Sequence, residues 1–352
     1  MNPLARRKLG KSPLVVTSLG VGTAPLGELY ARIPEPEAVG MLHAGHELGL
    51  NLFDTAPLYG AGLAEHRTGH VLRQKPPTSY VLSSKVGRWY RPADPATVDR
   101  GNWAGGLDFT EVLDYSYDGA MRSFEHSRLR LGLPRIDVLL IHDVDVHTHK
   151  TRERADHYFD QAMEGAYRAL LELRKNGDVK AIGVGVNESD MCARFARAGD
   201  FDCMLLAGRY TLLEQGALDE FLPLCEQKNI GVMAGGTFNS GILASGPRAG
   251  SKYNYADAPP QVIERVRKLD EVCRAHGVPL AAAAIQFPLG HPQVSSVVIG
   301  AVTPGEIRQN YELMQTPIGA ALWTDLKGEG LVRAEAPLPS GSPSSEPRRS
   351  EA

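Results

Sequence analysis

The sequence predicts a closed α/β barrel of eight parallel strands, the (β/α)8 or TIM barrel, and three observations carry that expectation. Short β-like runs alternate with amphipathic helical runs along most of the chain, the pattern of a parallel α/β architecture. Eight such pairs can be counted, the number that closes a barrel, whereas an open doubly wound sheet of 352 residues would divide more clearly into halves. No linker splits the chain, so residues 1–333 are read as one barrel domain.

The strands are expected, in order, at 19–23 (LGVGT), 51–55 (NLFDT), 80–85 (YVLSSK), 136–142 (IDVLLIH), 181–186 (AIGVGV), 203–207 (CMLLA), 230–235 (IGVMAG) and 295–300 (SSVVIG). Helices follow each. Tyr117, Met121, Phe124 and Leu131 share one helical face, as do Ala162, Ala166, Ala169 and Leu173, and Val262, Val266, Leu269 and Val272, with charges on the other faces. Ahead of the first strand, residues 8–16 have the length for a short hairpin that plugs one end of the barrel. The long interruptions at 86–114, 143–158 and 238–259 each follow a strand and precede a helix, which in a barrel places them on the catalytic rim. From Ala334 the composition turns to Pro, Ser, Glu and Arg, so 334–352 is read as a disordered tail.

Composition narrows the function. Hydrophobic residues make up 43% and charged residues 22%, enough for a large core. With 38 Lys plus Arg against 41 Asp plus Glu the net charge is −3, which leaves no basic excess for a nucleic acid. No apolar run reaches the roughly 18 residues of a membrane span, and the first residues lack the apolar centre of a secretory signal, so a cytoplasmic protein is expected. Cys192, Cys203, Cys225 and Cys273 are too widely spaced for a zinc site and read as free thiols filling the core.

Strand parity points to the chemistry. Leu50, Leu52 and Asp54 share a face of the second strand, Val81, Ser83 and Lys85 of the third, and Val138, Leu140 and His142 of the fourth. Each set ends in an ionisable residue. If those faces point inward, an acid, a cation and an imidazole converge at the carboxyl ends of neighbouring strands, and Tyr59, in the loop after Asp54, can lean into the same space. A phenol transfers protons poorly near neutrality, but an adjacent ammonium favours the phenolate and lowers its pKa. Lys85 would supply that charge, Asp54 would keep Lys85 protonated, and His142 would hydrogen-bond the substrate oxygen. Such a set moves a proton on or off a hydroxyl or carbonyl oxygen, so the hydride must belong to a cofactor.

The segments NLFDTAPLYG (51–60), LSSKVG (82–87), RLGLPRIDVLLIHD (130–143) and KAIGVGVNE (180–188) resemble the aldo-keto reductases, in order and at suitable distances from about Arg7 to Leu313. The resemblance implies a (β/α)8 barrel that uses a nicotinamide dinucleotide, with Asp54, Tyr59, Lys85 and His142 as the catalytic set. Within the family, the segment 122–147 and FNSGIL (238–243) look most like bacterial aldose 1-dehydrogenases of the L-fucose, D-threo-aldose and galactose type, together with pyridoxal 4-dehydrogenases. Cofactor contacts implied by the resemblance are Gly22, Thr23, Asp54, Asn187, the loop Phe238, Asn239, Ser240 and Gly241, and the stretch Gly300, Ala301, Val302, Glu306 and Asn310. The family's aromatic that stacks on the nicotinamide is replaced by Gly235, a Ser by Val186 and a Gln by Ala207.

Glu306 stands where many relatives place an arginine, so NAD is expected over NADP, with Arg308 as the competing charge. Thr303, Pro304 and Glu306 also have the spacing of a helix cap. Trp89, Tyr90 and Trp103 are read as lining the substrate site or else as anchors of their long loop. The run 142–149 (HDVDVHTH) admits a metal-dependent hydrolase and is read instead as a His-rich rim loop with no metal. A nicotinamide-binding sensor that partners another protein is the non-enzymatic alternative. The leading expectation is oxidation of an aldose's anomeric hydroxyl to a lactone; pyridoxal oxidation or general aldehyde and ketone reduction are the alternatives. Expected partners are a small sugar or aldehyde, with no nucleic acid or membrane, and a homodimer left open.

Overall fold

A computed structural model describes residues 1–248 and 250–339. Eight parallel strands close a barrel: β1 (Leu19–Gly22), β2 (Leu52–Asp54), β3 (Val81–Val86), β4 (Val138–His142), β5 (Ala181–Val186), β6 (Cys203–Ala207), β7 (Gly231–Gly235) and β8 (Val294–Gly300). All eight expected strands are present. Their ends differ from expectation by at most two residues, because parallel pairing starts only where a neighbour is in register, as where β2 meets β3 from Leu52 opposite Val81.

Two apolar cores result. The larger lies between strands and outer helices, and the smaller fills the barrel with Leu52, Val81, Val138, Leu140, Cys203, Leu205, Met233 and Val298. Branched and thioether side chains on the inward face of alternate strand positions fill that interior, which is why it is a packed core and not a pore. The amino-terminal hairpin, Arg6–Lys8 paired with Val15–Thr17, closes the bottom by adding Leu9, Leu14 and Val16 to this inner core. Inward-facing Gly183 of β5 admits no side chain, since a Cβ there would stand 2.0 Å from the Cys203 carbonyl oxygen.

The helical faces follow the expected periodicity. Ala162, Ala166, Ala169 and Leu173 are all buried, although 162–166 form a π-helical turn that joins two α-helical pieces. Helix Tyr117–Leu131 buries Phe124 and Leu131, while Tyr117 and Met121 are only partly covered. All four cysteines are buried free thiols. Among the described residues no helix is long and apolar enough to cross a membrane.

The expected tail starts inside packed chain. Ala336 is buried, and the backbone of Pro337 and Leu338 lies so close to Gly290 that a Cβ there would clash. Small residues and prolines can cover a surface without forming an element, so composition alone placed that boundary too early. Residues 340–352 lie outside the described residues.

The rim at the carboxyl ends of the strands carries three elaborated loops. After β3 comes an antiparallel hairpin, Arg88–Pro92 with Phe109–Leu113; after β4 a one-turn helix, Val146–His149; after β7 a short helix, Ile242–Ser245, and a small hairpin, Lys252–Tyr253 with Ala256–Asp257.

Candidate active site

The inward parity of β2, β3 and β4 brings the ionisable strand ends together. Lys85 Nζ donates to Asp54 Oδ2 at 2.8 Å, to the Thr55 carbonyl at 2.7 Å and to Tyr59 Oη at 3.1 Å. Ser83 donates to the other Asp54 oxygen at 2.8 Å. The Lys85 side chain is only 1% exposed, so its charge is balanced by Asp54 and not by solvent. Tyr59 is held in place from behind by Gly27, where a Cβ would stand 2.4 Å from the Tyr59 carbonyl carbon. The His142 ring meets Tyr59 edge-on at 6.0 Å, and Trp103 leans over the phenol at 6.0 Å. Tyr115 fixes the end of β4 by donating to the His142 carbonyl at 2.7 Å.

The electrostatics depart from expectation at the phenol. Burial, then the Asp54 and Asp143 carboxylates, push Tyr59 well above its ordinary pKa, with Arg88 opposing. The expected lowering by Lys85 does not prevail over burial, the largest influence, and over Asp54, which sits 2.8 Å from the same ammonium and offsets its field. Burial, helped by Arg88 and Lys85, holds His142 well below the usual imidazole pKa, so the ring is neutral at pH 7. Its Nδ1 is buried and without a hydrogen-bond partner.

Two clefts meet at Tyr59. One, of about 490 Å³, is lined by Tyr59, Lys85, Arg88, Trp103, Glu111, His142, Asp143, His147, Lys150, Asn187 and Tyr255. The other, of about 410 Å³, runs from Asp54, Tyr59 and Asn187 past Gly22, Phe238, Asn239, Ser240 and Gly241 to Gly300 and Val302. A third, of about 610 Å³, continues from Phe238 to Asn310 with Arg248 and Arg274 on its wall. Asp145 accepts from the Asn187 amide and side chain at 2.7 and 3.2 Å and so fixes Asn187 at the junction.

The second and third clefts together suit a long dinucleotide. Their walls are rich in glycine, the loop Asn239, Ser240 and Gly241 has three successive positive φ values, and Thr237 Oγ1 and Asn239 Oδ1 are buried without partners. Asn239 and Gly241 spend their amides on the Gly236 and Phe238 carbonyls at 2.9 and 3.0 Å, so the turn is closed on itself and the Thr237 and Asn239 side-chain oxygens are its unpaired groups. The floor beside Tyr59 is aliphatic, made by Leu205, Ala207 and Val298, where Gly235 leaves no aromatic.

Some expected contacts lie off these clefts. Thr23 is fully buried and donates to the Asp54 carbonyl at 3.0 Å, and Ala301 is also buried away from the walls. Glu306 accepts from the Val302 amide at 2.8 Å while Thr303 accepts from the Glu306 amide at 3.2 Å, so its carboxylate caps the helix Pro304–Gln315. Of the three loop aromatics, Trp103 borders the cleft above Tyr59, and Trp89 and Tyr90 border none of these three clefts. Trp89 donates to Asp114 at 3.2 Å and stacks under Arg122, and Tyr90 pairs across the hairpin with Glu111; both anchor the loop. The histidines of 142–149 diverge: His142 faces the cleft, His149 stacks on Tyr158 at 4.3 Å, and His147 approaches Tyr255. Among the described residues no group of three or more His, Cys, Asp or Glu could hold a metal ion.

Sequence reasoning missed Arg88, Glu111, Asp143 and Tyr255. Asp143 accepts from Arg88 at 2.9 Å across 55 residues, a pairing that no local pattern signals. The one available hint was an acid directly after His142, at the point where a barrel strand ends.

Comparison with known proteins agrees with this geometry. The model of the aldo/keto reductase family matches residues 18–328. The chain is 46% identical over 337 residues to a pyridoxal 4-dehydrogenase of Microbacterium luteolum, covering 93% of this chain and 98% of that protein. It is 40% identical over 324 residues to a D-threo-aldose 1-dehydrogenase of a Pseudomonas species, covering 91% and 95%. Its backbone resembles the holo form of an aldo-keto reductase from Bacillus halodurans with a TM-score of 0.73 at 21% identity, over 94% of this chain and 97% of that one.

Proposed function

The chain belongs to the aldo/keto reductase family of NAD(P)(H)-using oxidoreductases, and from that premise we propose that it oxidises the anomeric hydroxyl of a free aldose to a lactone, with NAD preferred. The observation that carries this reading is the wall of the cleft above Tyr59. Arg88, Glu111, Asp143, His147, Lys150 and Asn187 offer donors and acceptors on several sides, and Trp103 and Tyr255 offer aromatic faces. A small polyol in its cyclic hemiacetal form can use the acceptor and donor capacity these groups keep beyond their own pairings, whereas a simple alkyl aldehyde cannot.

A bound nicotinamide would supply the acceptor for the hydride of the anomeric carbon. Tyr59 takes the hydroxyl proton as the carbon–oxygen bond becomes double, and Lys85 at 3.1 Å stabilises the phenolate that accepts it. Neutral His142 hydrogen-bonds the reacting oxygen and fixes its distance from Tyr59. Asp54 orients Lys85. Asn187, the loop 237–241 and the Gly22 and Gly300 backbones would hold the dinucleotide, and Asn310 would meet its adenine end.

The NAD preference rests on two charges. Glu306 is committed to the helix cap, and Arg308 reaches Glu47 at 3.6 Å instead of bordering the adenosine cleft. Arg274 pairs with Asp270, and Arg248, the guanidinium on that wall without a carboxylate partner among the described residues, is the charge that opposes the preference. A second reading has one specific support, the 46% identity to a pyridoxal 4-dehydrogenase. Pyridoxal also presents a cyclic hemiacetal, so the same four residues serve it unchanged. Steady-state NADH formation with L-fucose, L-galactose, D-arabinose and pyridoxal, each with NAD and NADP, tests the proposal. Activity confined to reducing simple aldehydes would refute it, and a kcat/KM ratio favouring NADP by about tenfold or more would refute the cofactor preference.

A further inference from the structure

Beside His142 the cleft wall carries a buried charge cluster that the proton-transfer set does not use. Asp143 Oδ2 accepts from Arg88 Nη2 at 2.9 Å, and its Oδ1 lies 3.3 Å from His142 Nε2. Arg88 spends its other terminal nitrogen on Glu111 at 2.8 Å. The side chains of Arg88 and Asp143 are 3% and 10% exposed, yet both border the cleft above Tyr59.

One feature sets this cluster apart from an ordinary structural ion pair. Asp143 holds φ at +57°, a left-handed backbone in which glycine would be free of strain and a side chain is not. Arg88 Nε is buried with no hydrogen-bond partner. A chain that accepts strain to keep a carboxylate on the cleft wall has the character of a site completed by something else, while the buried Arg88 Nε, itself a donor, plays no part in that completion. Each carboxylate oxygen has lone pairs to spare after one bond, so the complementary group is a neutral donor. Burial pushes the Asp143 carboxyl up to about 7, with Arg88 opposing, so near neutrality it responds to whatever donor meets it.

Position narrows the donor. His142 addresses the reacting oxygen, and the 3.3 Å between its Nε2 and Asp143 Oδ1 is of the order that separates oxygens on adjacent carbons. We propose that Asp143, oriented by Arg88, is a specificity residue that accepts a hydrogen bond from the substrate hydroxyl on the carbon next to the reacting one. The assignment rests on the proposed hydroxylated substrate but can be tested apart from lactone formation.

The test compares NADH-dependent reduction of glyceraldehyde, which carries that hydroxyl, with propanal, which does not, in the wild type and in Asp143→Ala and Asp143→Gly. Loss of a hydrogen bond to a charged group predicts a fall of about 10- to 100-fold in kcat/KM for glyceraldehyde, mainly through KM. Propanal shares any change that loss of the carboxylate makes to Tyr59, so the ratio of kcat/KM for glyceraldehyde over propanal is the readout and should fall about tenfold or more, and the glycine variant, free of backbone strain, separates loss of the carboxylate from loss of fold. Equal losses on both aldehydes, or a wild type that handles glyceraldehyde no better than propanal, would overturn the assignment. A selective loss in an enzyme that oxidises no aldose would sink the lactone reading and keep this one. Aldose oxidation untouched by both substitutions would do the reverse.

Discussion

Replacing Lys85 by methionine keeps the side chain as far as its ε position and removes the ammonium, and the structure fixes what that charge is worth. The ammonium lies 3.1 Å from Tyr59 Oη, so its attraction for a phenolate is about 5 kcal/mol at an effective dielectric of about 20. Asp54, paired with the same ammonium, offsets part of that, and a loss of roughly 10²- to 10⁴-fold in kcat/KM is expected, the span of general acid–base catalysis. The loss must be equal for oxidation and reduction at one pH, because the overall equilibrium fixes their ratio. The single variant also leaves Asp54 buried and uncompensated, a cost of about 3–5 kcal/mol in stability. The double variant Asp54→Asn with Lys85→Met removes that penalty and should melt nearer the wild type while staying inactive. The assay is steady-state absorbance at 340 nm, beside cofactor binding by quenching of intrinsic fluorescence, which should change little. Turnover within tenfold of wild type in the well-folded double variant would refute the role of the ammonium.

The other predictions concern the same wall. Tyr59→Phe should lower turnover by about 10²- to 10⁴-fold with cofactor binding nearly intact, as read by paired kinetics and fluorescence titration. Oxidation needs the phenol deprotonated, and Tyr59 is held above its ordinary pKa, so log kcat/KM for oxidation should still be rising at about pH 9; a plateau reached by pH 7 contradicts this. Asp143 is pushed up to about 7 and accepts more strongly when ionised. KM for glyceraldehyde should therefore fall between about pH 6 and 8, and this change should vanish in Asp143→Asn.

The sequence carried the barrel because parity and polarity coincide there. Leu52 with Asp54, Val81 with Lys85, and Val138 and Leu140 with His142 put apolar residues inside and one ionisable group at the mouth, a local pattern that reads without contacts. The hairpin plug was legible for the same reason, from Leu9, Leu14 and Val16. What was not legible depends on distance or on competing fields. The Tyr59 phenol answers to burial and two carboxylates as well as to Lys85, a sum that spacing cannot supply. Trp89 and Tyr90 belong to a hairpin that pairs them with Val112 and Glu111, a partner strand that the sequence does not announce. Arg88 and Asp143 meet across 55 residues for the same reason. Glu306 had two readings, and its bond to the Val302 amide gives it the capping one.

The central claim is that these residues turn an anomeric hydroxyl into a lactone. Its most direct measurement is carbon-13 NMR of the product formed from a C1-labelled aldose, such as L-fucose, with NAD and the wild-type chain. The account predicts a lactone carbonyl at C1 that appears in step with NADH and is absent with Tyr59→Phe. NADH formed without a C1 carbonyl, or a lactone formed equally well without the phenol, would contradict it.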